Sequence, residues 1–333
     1  MSETARYRFL LAGLALATAI LFALSLTVGP AAIAFSDSIA ALFSGKADAI
    51  GLIMREIRLP RAILGLLIGG TLGLSGAVLQ GYLRNPLAEP GLLGVSASAS
   101  LGAVIVIYSG LTAVFPLALP FAALAGAVLA VIVVQALAGL RGGALTIILA
   151  GVAVSSFAGA MTSLALNLSP NPFASLEIVF WMLGSLTDRS MTHVWLAAPF
   201  IIAGSAMLLS LGRSLDILTL GTDAAASMGV NLRHVQLLAI LGTAASVGAA
   251  TAVAGAIGFV GLVVPHVLRP LVGARPGRLL PASWFGGAIV LLAADILVRL
   301  IAPEKDLKLG VLTAIVGAPF FLWLVFRTRR SLL

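Results

Sequence analysis

Arg84-Asn85-Pro86-Leu87-Ala88-Glu89-Pro90-Gly91-Leu92-Leu93-Gly94 separates two long apolar segments in a chain with few polar residues to spare. The stretch is not a helix, because Pro86 and Pro90 each remove a backbone donor and push the preceding residue out of the helical region. Nor does it face lipid, where its free backbone groups would stay unsatisfied. Two placements remain: a membrane surface, or the lining of a cavity inside the protein.

Outward from this loop, apolar runs dominate. The chain has 333 residues, 60% hydrophobic and 10% charged, with a mean hydropathy of +1.14. Soluble domains carry about 25% charged residues. Runs long enough to cross a bilayer, about 20 residues each, recur along the whole length. The fold class is therefore all-α, a polytopic membrane protein. Ten transmembrane helices are expected, over 8–29, 60–81, 92–109, 113–138, 144–166, 192–211, 235–253, 256–272, 279–299 and 309–326. Together residues 1–333 read as a single transmembrane domain.

Helices in lipid associate through close packing of small residues, and the 36 glycines suit that use. Gly69, Gly70, Gly73 and Gly76 make one small-residue face, and Gly126, Gly151 and Gly159 punctuate later segments. A short echo links Leu74–Gln80 with Val253–Phe259, each followed by a proline-bearing stretch, in the manner of inverted halves.

Charge orients the chain. With the N-terminus inside, the inner segments hold 12 basic residues (Arg6, Arg8, Arg84, Arg141, Arg213, Arg233, Arg269, Arg275, Arg278, Arg327, Arg329 and Arg330) against four acidic ones, Glu3, Glu89, Asp216 and Asp223. The outer segments hold 8 of each sign. This is the positive-inside pattern, and it places both termini in the cytoplasm. It also accounts for the net charge of +8 without any nucleic acid. Arg6, Arg8 and the Ala32-Ile33-Ala34 triplet look superficially like a cleavable signal. The apolar run from Phe9 to Val28 exceeds a signal core of about 7–15 residues, so a retained helix is expected.

Catalytic chemistry finds no support. The absence of cysteine excludes disulfides, thiolate metal sites and a cysteine nucleophile. His193, His234 and His266 lie far apart, without a paired carboxylate. Gly45-Lys46 lacks the upstream glycine and the following hydroxyl of a phosphate-binding loop. No cofactor and no metal site is expected, and any ATP consumed is hydrolysed by another subunit. An ion-driven secondary transporter of a small organic solute is the alternative. It would need a carboxylate inside the membrane, for which Glu177 and Asp295 are the nearest candidates, both near the outer ends of segments.

Six stretches carry more than lipid-soluble filler: Arg58-Leu59-Pro60-Arg61, Gly76–Gln80, Arg84–Gly91, Gly255–His266, Asp295–Arg299 and Gly317–Trp323. In this order and spacing, over about residues 55–325, they resemble the FecCD-type permease subunits of ABC importers for iron chelates, haem and vitamin B12. The resemblance implies roles for particular residues. Arg58, Arg61 and Arg299 match outward-facing arginines that meet acidic residues of a substrate-binding protein, where charge steers encounter and fixes register. The simpler alternatives are snorkelling at the interface and, for Arg299, an i,i+4 pair with Asp295. Within 213–233, Leu220, Gly221, Asp223, Ala224, Met228 and Gly229 match the coupling helix held by the ATPase subunit. That segment reads as a short helix capped by Thr222 or Asp223 and stopped at Gly229.

Asn85 and Leu87 are candidates for a gate toward the cytoplasm, the alternative being a structural knot that satisfies helix ends. His266 reads as a capping or interfacial group at a helix broken by Pro265. Three positions depart from the family pattern: Ala226 for arginine, Met228 for leucine, and Lys308 for proline within Lys305–Gly310. The partners implied are two ATP-binding subunits, a periplasmic or lipid-anchored substrate-binding protein, and a second copy of the permease. The implied setting is the lipid of a bacterial inner membrane. Few ionisable groups are left to line the pathway, which suits a large wrapped chelate rather than a bare ion.

Overall fold

A backbone crossing lipid satisfies its hydrogen bonds within itself, and the apolar runs accordingly fold as helices. The computed structural model describes residues 2–29, 35–43, 48–115, 117–139, 143–169, 172–302 and 307–330. Ala32–Ala34, Gly45-Lys46, Arg141 and Lys305-Asp306, singled out above, lie outside these. Helix α1 spans Glu3–Thr27 and opens on Ser2, whose side chain accepts a hydrogen bond from the Ala5 amide. Next come α2 (Phe35–Phe43) and α3 (Ala49–Leu52), which continues through a π-helical turn at Ile53–Arg58 into α4 (Leu59–Tyr82). A 3-10 turn at Pro90–Leu93 leads into α5 (Val95–Tyr108), followed by α6 (Ala118–Ala138), α7 (Ala144–Asn167) and α8 (Pro172–Met182). Then follow α9 (Met191–Leu209), α10 (Gly212–Leu218), α11 (Thr222–Ser227) and α12 (Leu232–Ala254). The last three are α13 (Val260–Leu268), α14 (Pro276–Ile301) and α15 (Leu309–Arg330). Among the described residues there is no strand.

Eight of these helices are long and apolar enough to cross a bilayer, and α5, α8 and the Val260–Val272 stretch are shorter apolar helices. The expected spans at 92–109 and 256–272 fall on two of the short ones. Helix α5 has 14 residues and α13 has 9, or about 21 and 14 Å at 1.5 Å per residue, against a hydrocarbon core of about 30 Å. Each follows an irregular stretch, the 3-10 turn and Gly94 ahead of α5 and the non-helical Gly255–Phe259 ahead of α13. The third short helix, α8, lies in what the hydropathy reading leaves as an outer loop. Of the expected first span at 8–29, residues up to Thr27 lie in one helix, α1.

The core centres on α4 and α12, whose apolar windows are 83% and 78% buried, against 11% for α1. Helix α4 reaches its neighbours through the expected glycine face. A methyl group added at Gly73 would lie 2.1 Å from the Ser283 carbonyl oxygen of α14, and one at Gly76 would lie 1.9 Å from the Gly261 oxygen of α13. Gly126 and Gly151 likewise abut the carbonyls of Ser98 and Leu92, whereas Gly159 has nothing within 4 Å. No space remains at the first four positions for any larger side chain, so the glycines set how closely the helices approach.

The two ends of the bundle are chemically distinct. At one end, Arg278 of α14 pairs with Glu3 of α1 at 2.8 Å, and the Tyr7 hydroxyl donates to the Arg278 carbonyl at 3.1 Å. At the same end the Gly277 amide donates to Asp216 of α10 at 2.7 Å. The opposite end gathers the C-terminus of α1 with Arg58, Arg61 and Arg299.

Candidate functional site

Two interruptions of helical structure meet deep in the bundle. Helix α12 ends at Ala254, Gly255 takes φ +72°, and the chain runs without helix to Phe259, at φ +67°, before α13 begins. Opposite lies the Arg84–Gly94 loop. It leaves α4 through Arg84 at φ +48°, with the Asn85 amide donating to Gln80 O at 3.2 Å and the Leu87 amide donating to the Asn85 side-chain oxygen at 2.9 Å. It then dips inward. Ala88 and Leu93 are fully buried, a methyl at Gly261 would meet Pro90 at 2.7 Å, and one at Gly151 would meet the Leu92 oxygen at 1.9 Å. Gly151 lies seven residues into α7, about 10 Å from its start at 1.5 Å per residue. The loop therefore lines the interior, the second of the two placements open from sequence. Asn85 and Leu87 sit half-buried in the turn that closes α4.

This arrangement corrects three expectations. Glu89, counted with the inner surface charges, faces the backbone amide of Phe259 within the bundle. Helix α13 is not broken at Pro265; it runs through that residue, and the interruption lies upstream at 255–259. His266 lies in the last turn of this helix, its ring edge-on to Phe320 of α15 at 5.7 Å. The echo between Leu74–Gln80 and Val253–Phe259 does not extend to local structure, since the first is helical throughout and the second is mostly unwound.

Gln80 explains how α13 tolerates its proline. Pro265 has no amide hydrogen, so the carbonyl four residues earlier, Gly261, loses its helical donor. The buried Gln80 side-chain amide donates to Gly261 O and Leu262 O, both at 3.3 Å, while its oxygen accepts from Arg269 at 2.8 Å. One side chain thus joins α4 to both ends of α13. Gln80→Leu leaves the Gly261 carbonyl and the Arg269 guanidinium without these partners. It is expected to cost about 2–3 kcal/mol, read as a lowered unfolding midpoint in detergent.

At the arginine-bearing end the three side chains are committed within the chain. Asp295, 2% exposed, receives two bonds from Arg61 at 2.9 and 3.1 Å and one from Arg299 at 2.8 Å. Arg299 also donates to Ser25 O, Val28 O and the Ser25 hydroxyl at 2.7–2.8 Å, and Arg58 donates to Leu26 O and Thr27 O at 3.0 and 2.9 Å. Helix α1 has no basic residue in its last turn, so Arg58 and Arg299 supply from elsewhere the cations that its C-terminal carbonyls attract. Exposures of 4%, 13% and 7% for Arg58, Arg61 and Arg299 describe a cluster set into the protein, not an open cationic rim. The i,i+4 pair between Asp295 and Arg299 is present within it.

At the other end, α11 stands on a small base. Ala225 is fully buried against the core, while Leu220 and Met228 flank the helix at 65% and 59% exposure. Asp223 and Ala224 are exposed. Gly221, at φ +106°, is the N-cap and no side chain caps the helix, so neither Thr222 nor Asp223 has the expected role. Gly229, at φ +84°, ends it as expected.

Sequence reasoning missed the depth of Glu89, the Gln80–Pro265 relation and helix α8. The paired glycines Gly255 and Gly258 ahead of an apolar run were the available signal for the unwound segment. The position of α8 had no comparable marker.

A polytopic bundle whose interrupted segments meet inside it, with a short helix held out at one end, is the architecture of a transport permease. The chain belongs to the FecCD transport family, whose model matches residues 17–327. It is 38% identical over 281 residues to the Fe(3+) dicitrate transport system permease protein FecD of Escherichia coli (strain K12), covering 83% of this chain and 86% of that one. It is 39% identical to the cobalamin import system permease protein BtuC of Halobacterium salinarum (84% and 75% covered) and 34% identical to the hemin transport system permease protein HmuU of Yersinia pestis (85% and 86% covered). Among solved structures, an inward-facing putative metal-chelate type ABC transporter superposes with a TM-score of 0.84 at 30% identity, over 95% of this chain and 98% of that one.

Proposed function

We propose that this chain, as one transmembrane domain, is the permease subunit of an ATP-driven importer that carries a metal chelate (ferric siderophore, haem or cobalamin) into the cytoplasm. The observation that carries this reading is membership of the FecCD family over residues 17–327, with relatives named for ferric dicitrate, haem and cobalamin transport. Two copies would enclose one pathway in a bacterial inner membrane, with both termini in the cytoplasm, two ATP-binding subunits below and a substrate-binding protein above. The buried state of Asp295 between two arginines, and the exposure of Glu177, give no support to ion-coupled transport.

In this reading α11 is the coupling element. Leu220, Gly221, Asp223, Ala224, Met228 and Gly229 form a knob with exposed apolar flanks that fits a cleft in the ATPase. Arg58, Arg61 and Arg299 are the docking cations. A binding-protein carboxylate would join their existing network beside Asp295 rather than meet loose side chains. Asn85 and Leu87 close the inner mouth, and the turn at Asn85 fixes their position.

Uptake tests the whole. A strain lacking this chain should fail to accumulate iron from one siderophore or haem, or cobalt from cobalamin, by mass spectrometry of cell metal. Normal uptake of all three would overturn the reading. Ala224→Trp should leave the permease folded but cut substrate-stimulated ATP hydrolysis at least about tenfold, the equivalent of about 1.4 kcal/mol of lost coupling. Unchanged stimulation would remove α11 from the contact.

A further inference from the structure

Helix α14 begins without a cap of its own. Its N-cap is Arg275, whose side chain has no acceptor, and Pro276 at the first helical position has no amide hydrogen. The Arg278 and Leu279 amides both reach Arg275 O, at 3.1 and 3.0 Å. The Gly277 amide is the donor left over, and its acceptor comes from α10: Asp216 Oδ1, at 2.7 Å. A carboxylate here also meets the positive end of the helix dipole. Pro281 adds to the need, because it withholds the amide hydrogen that the Gly277 carbonyl would accept. The first turn of α14 is therefore held by Asp216 more than by its own ladder.

The fit leaves no slack. A methyl added at Gly277 would lie 2.7 Å from Asp216 Oδ2 and 3.1 Å from the Gly212 oxygen, and one at Gly212 would lie 3.2 Å from the Gly277 Cα. Two glycines bring the backbones of α10 and α14 together, and Asp216 pins them.

Each side of this joint leads to a part of the protein with a proposed role. On one side, α10 passes into α11 through a hydrogen-bonded turn. The Leu220 and Gly221 amides donate to Ile217 O and Leu218 O at 3.0 and 3.1 Å, and the Thr219 hydroxyl donates to the Asp216 carbonyl at 2.6 Å. On the other side, α14 stays helical to Ile301. Asp295 lies 18 residues beyond Gly277, about 27 Å at 1.5 Å per residue, and there it holds Arg61 and Arg299. Between these points α14 lies on α4 through small residues, and a methyl at Gly287 would meet the Gly69 oxygen at 2.0 Å. Such a smooth face suits the small sliding of packed helices seen in shear motions.

We infer that Asp216 is a positioning residue of the transport cycle, the joint through which a shift of α11 reaches the outer end of α14 and its arginine cluster. In the importer reading, on which this inference rests, α11 meets the ATPase and the cluster meets the binding protein. Asp216 supplies a route between them: α11 carries α10, Asp216 carries the first turn of α14, and α14 carries Asp295. Helix α12, the other element joined to α11, is capped by its own Asn231, which accepts from the His234 amide at 3.0 Å.

The test reads the far end of α14. The chain has no cysteine, so a spin label is placed at Leu300→Cys, in the last turn, where the side chain is 62% exposed. The complex is purified with its ATPase subunits through a tag on this chain, returned to lipid nanodiscs, and given ATP with vanadate. Spectra are taken as differences from the same complex without that cysteine. ATP should move the label between two environments in the parent. Asp216→Leu should lower the equilibrium constant of that shift at least about fivefold, the lower end of coupling between distant sites, with basal ATP hydrolysis unchanged. Asp216→Asn, which keeps an acceptor oxygen, should retain most of the shift. Gly277→Ala keeps the carboxylate but forces α10 from α14, so it should lose the shift as well, and it carries the test should Asp216→Leu not assemble. A full shift in Asp216→Leu and Gly277→Ala would overturn the inference and leave α12 as the route. Equal loss in Asp216→Asn and Asp216→Leu would also overturn it, as would a label that ignores ATP in a parent complex that hydrolyses it. A parent chain that brings down no ATP hydrolysis would instead sink the importer reading.

Discussion

Asp295→Ala is expected to lower stability by about 3–5 kcal/mol, the cost of breaking a buried ion pair by removing one partner. The carboxylate accepts from Arg61 and Arg299 at once and is almost wholly buried. Without it two guanidiniums face each other in a dry site, and Arg299 also holds the Ser25 and Val28 carbonyls. Damage therefore spreads to the end of α1, which should become open to protease at Ser25–Val28 before the bundle melts. A triple variant, Asp295→Leu with Arg61→Met and Arg299→Met, should recover part of the loss, because replacing a whole buried charge cluster costs less than orphaning half of it. An Asp295→Ala melting point equal to the parent's would show that the cluster is not what secures α1.

The second large effect is expected at Gly76. A valine there places its Cβ 1.9 Å from the Gly261 oxygen, and neither backbone can yield without parting α4 from α13. Overpacking of this kind costs about 1–3 kcal/mol. The same displacement pulls Gln80, one turn further along α4, from the two carbonyls that it satisfies at 3.3 Å. Gly76→Val should therefore melt earlier than Gln80→Leu and fail in transport. Gly159→Val is the matched control, because among the described residues a Cβ there meets no atom beyond its own helical turn within 4 Å. Equal melting points for the two valine variants would mean that α4 and α13 are free to separate.

Much of the fold could be read from hydropathy, since a span about 20 residues long and apolar throughout has few alternatives in lipid. The two short spans could not be delimited that way. Hydropathy measures how apolar a stretch is, and both the unwound Gly255–Phe259 and the helix after it are apolar. The glycine face of α4 was legible because small residues at helical spacing have a physical use. Which neighbour each glycine meets was not, because that depends on α13 and α14, almost 200 residues away. The three arginines illustrate the other limit. Their positions near the outer ends of segments were visible, but their burial was not. The carbonyls that hold Arg58 and Arg299 belong to Ser25–Val28, which carry no charge to advertise them. Glu89 failed for a related reason, since a charge in a loop between two spans counts as surface charge until the loop is seen to turn inward.

The brevity of α13 bears on how the chain is made. Its 9 residues rise about 14 Å, about half of a hydrocarbon core of about 30 Å, and the five residues before it, Gly255–Phe259, are not helical. A crossing completed by them exposes backbone groups that lipid cannot satisfy. As it leaves the ribosome, this segment is therefore a poor candidate for membrane entry on its own. It gains a place only when α4, α12 and α14 are there to enclose it, so insertion of the final third of the protein must wait on α14 and proceed as a unit. A nascent chain stopped near Gly273 should hold its last segment outside the bilayer, and the bundle should close only once synthesis has passed Ile301.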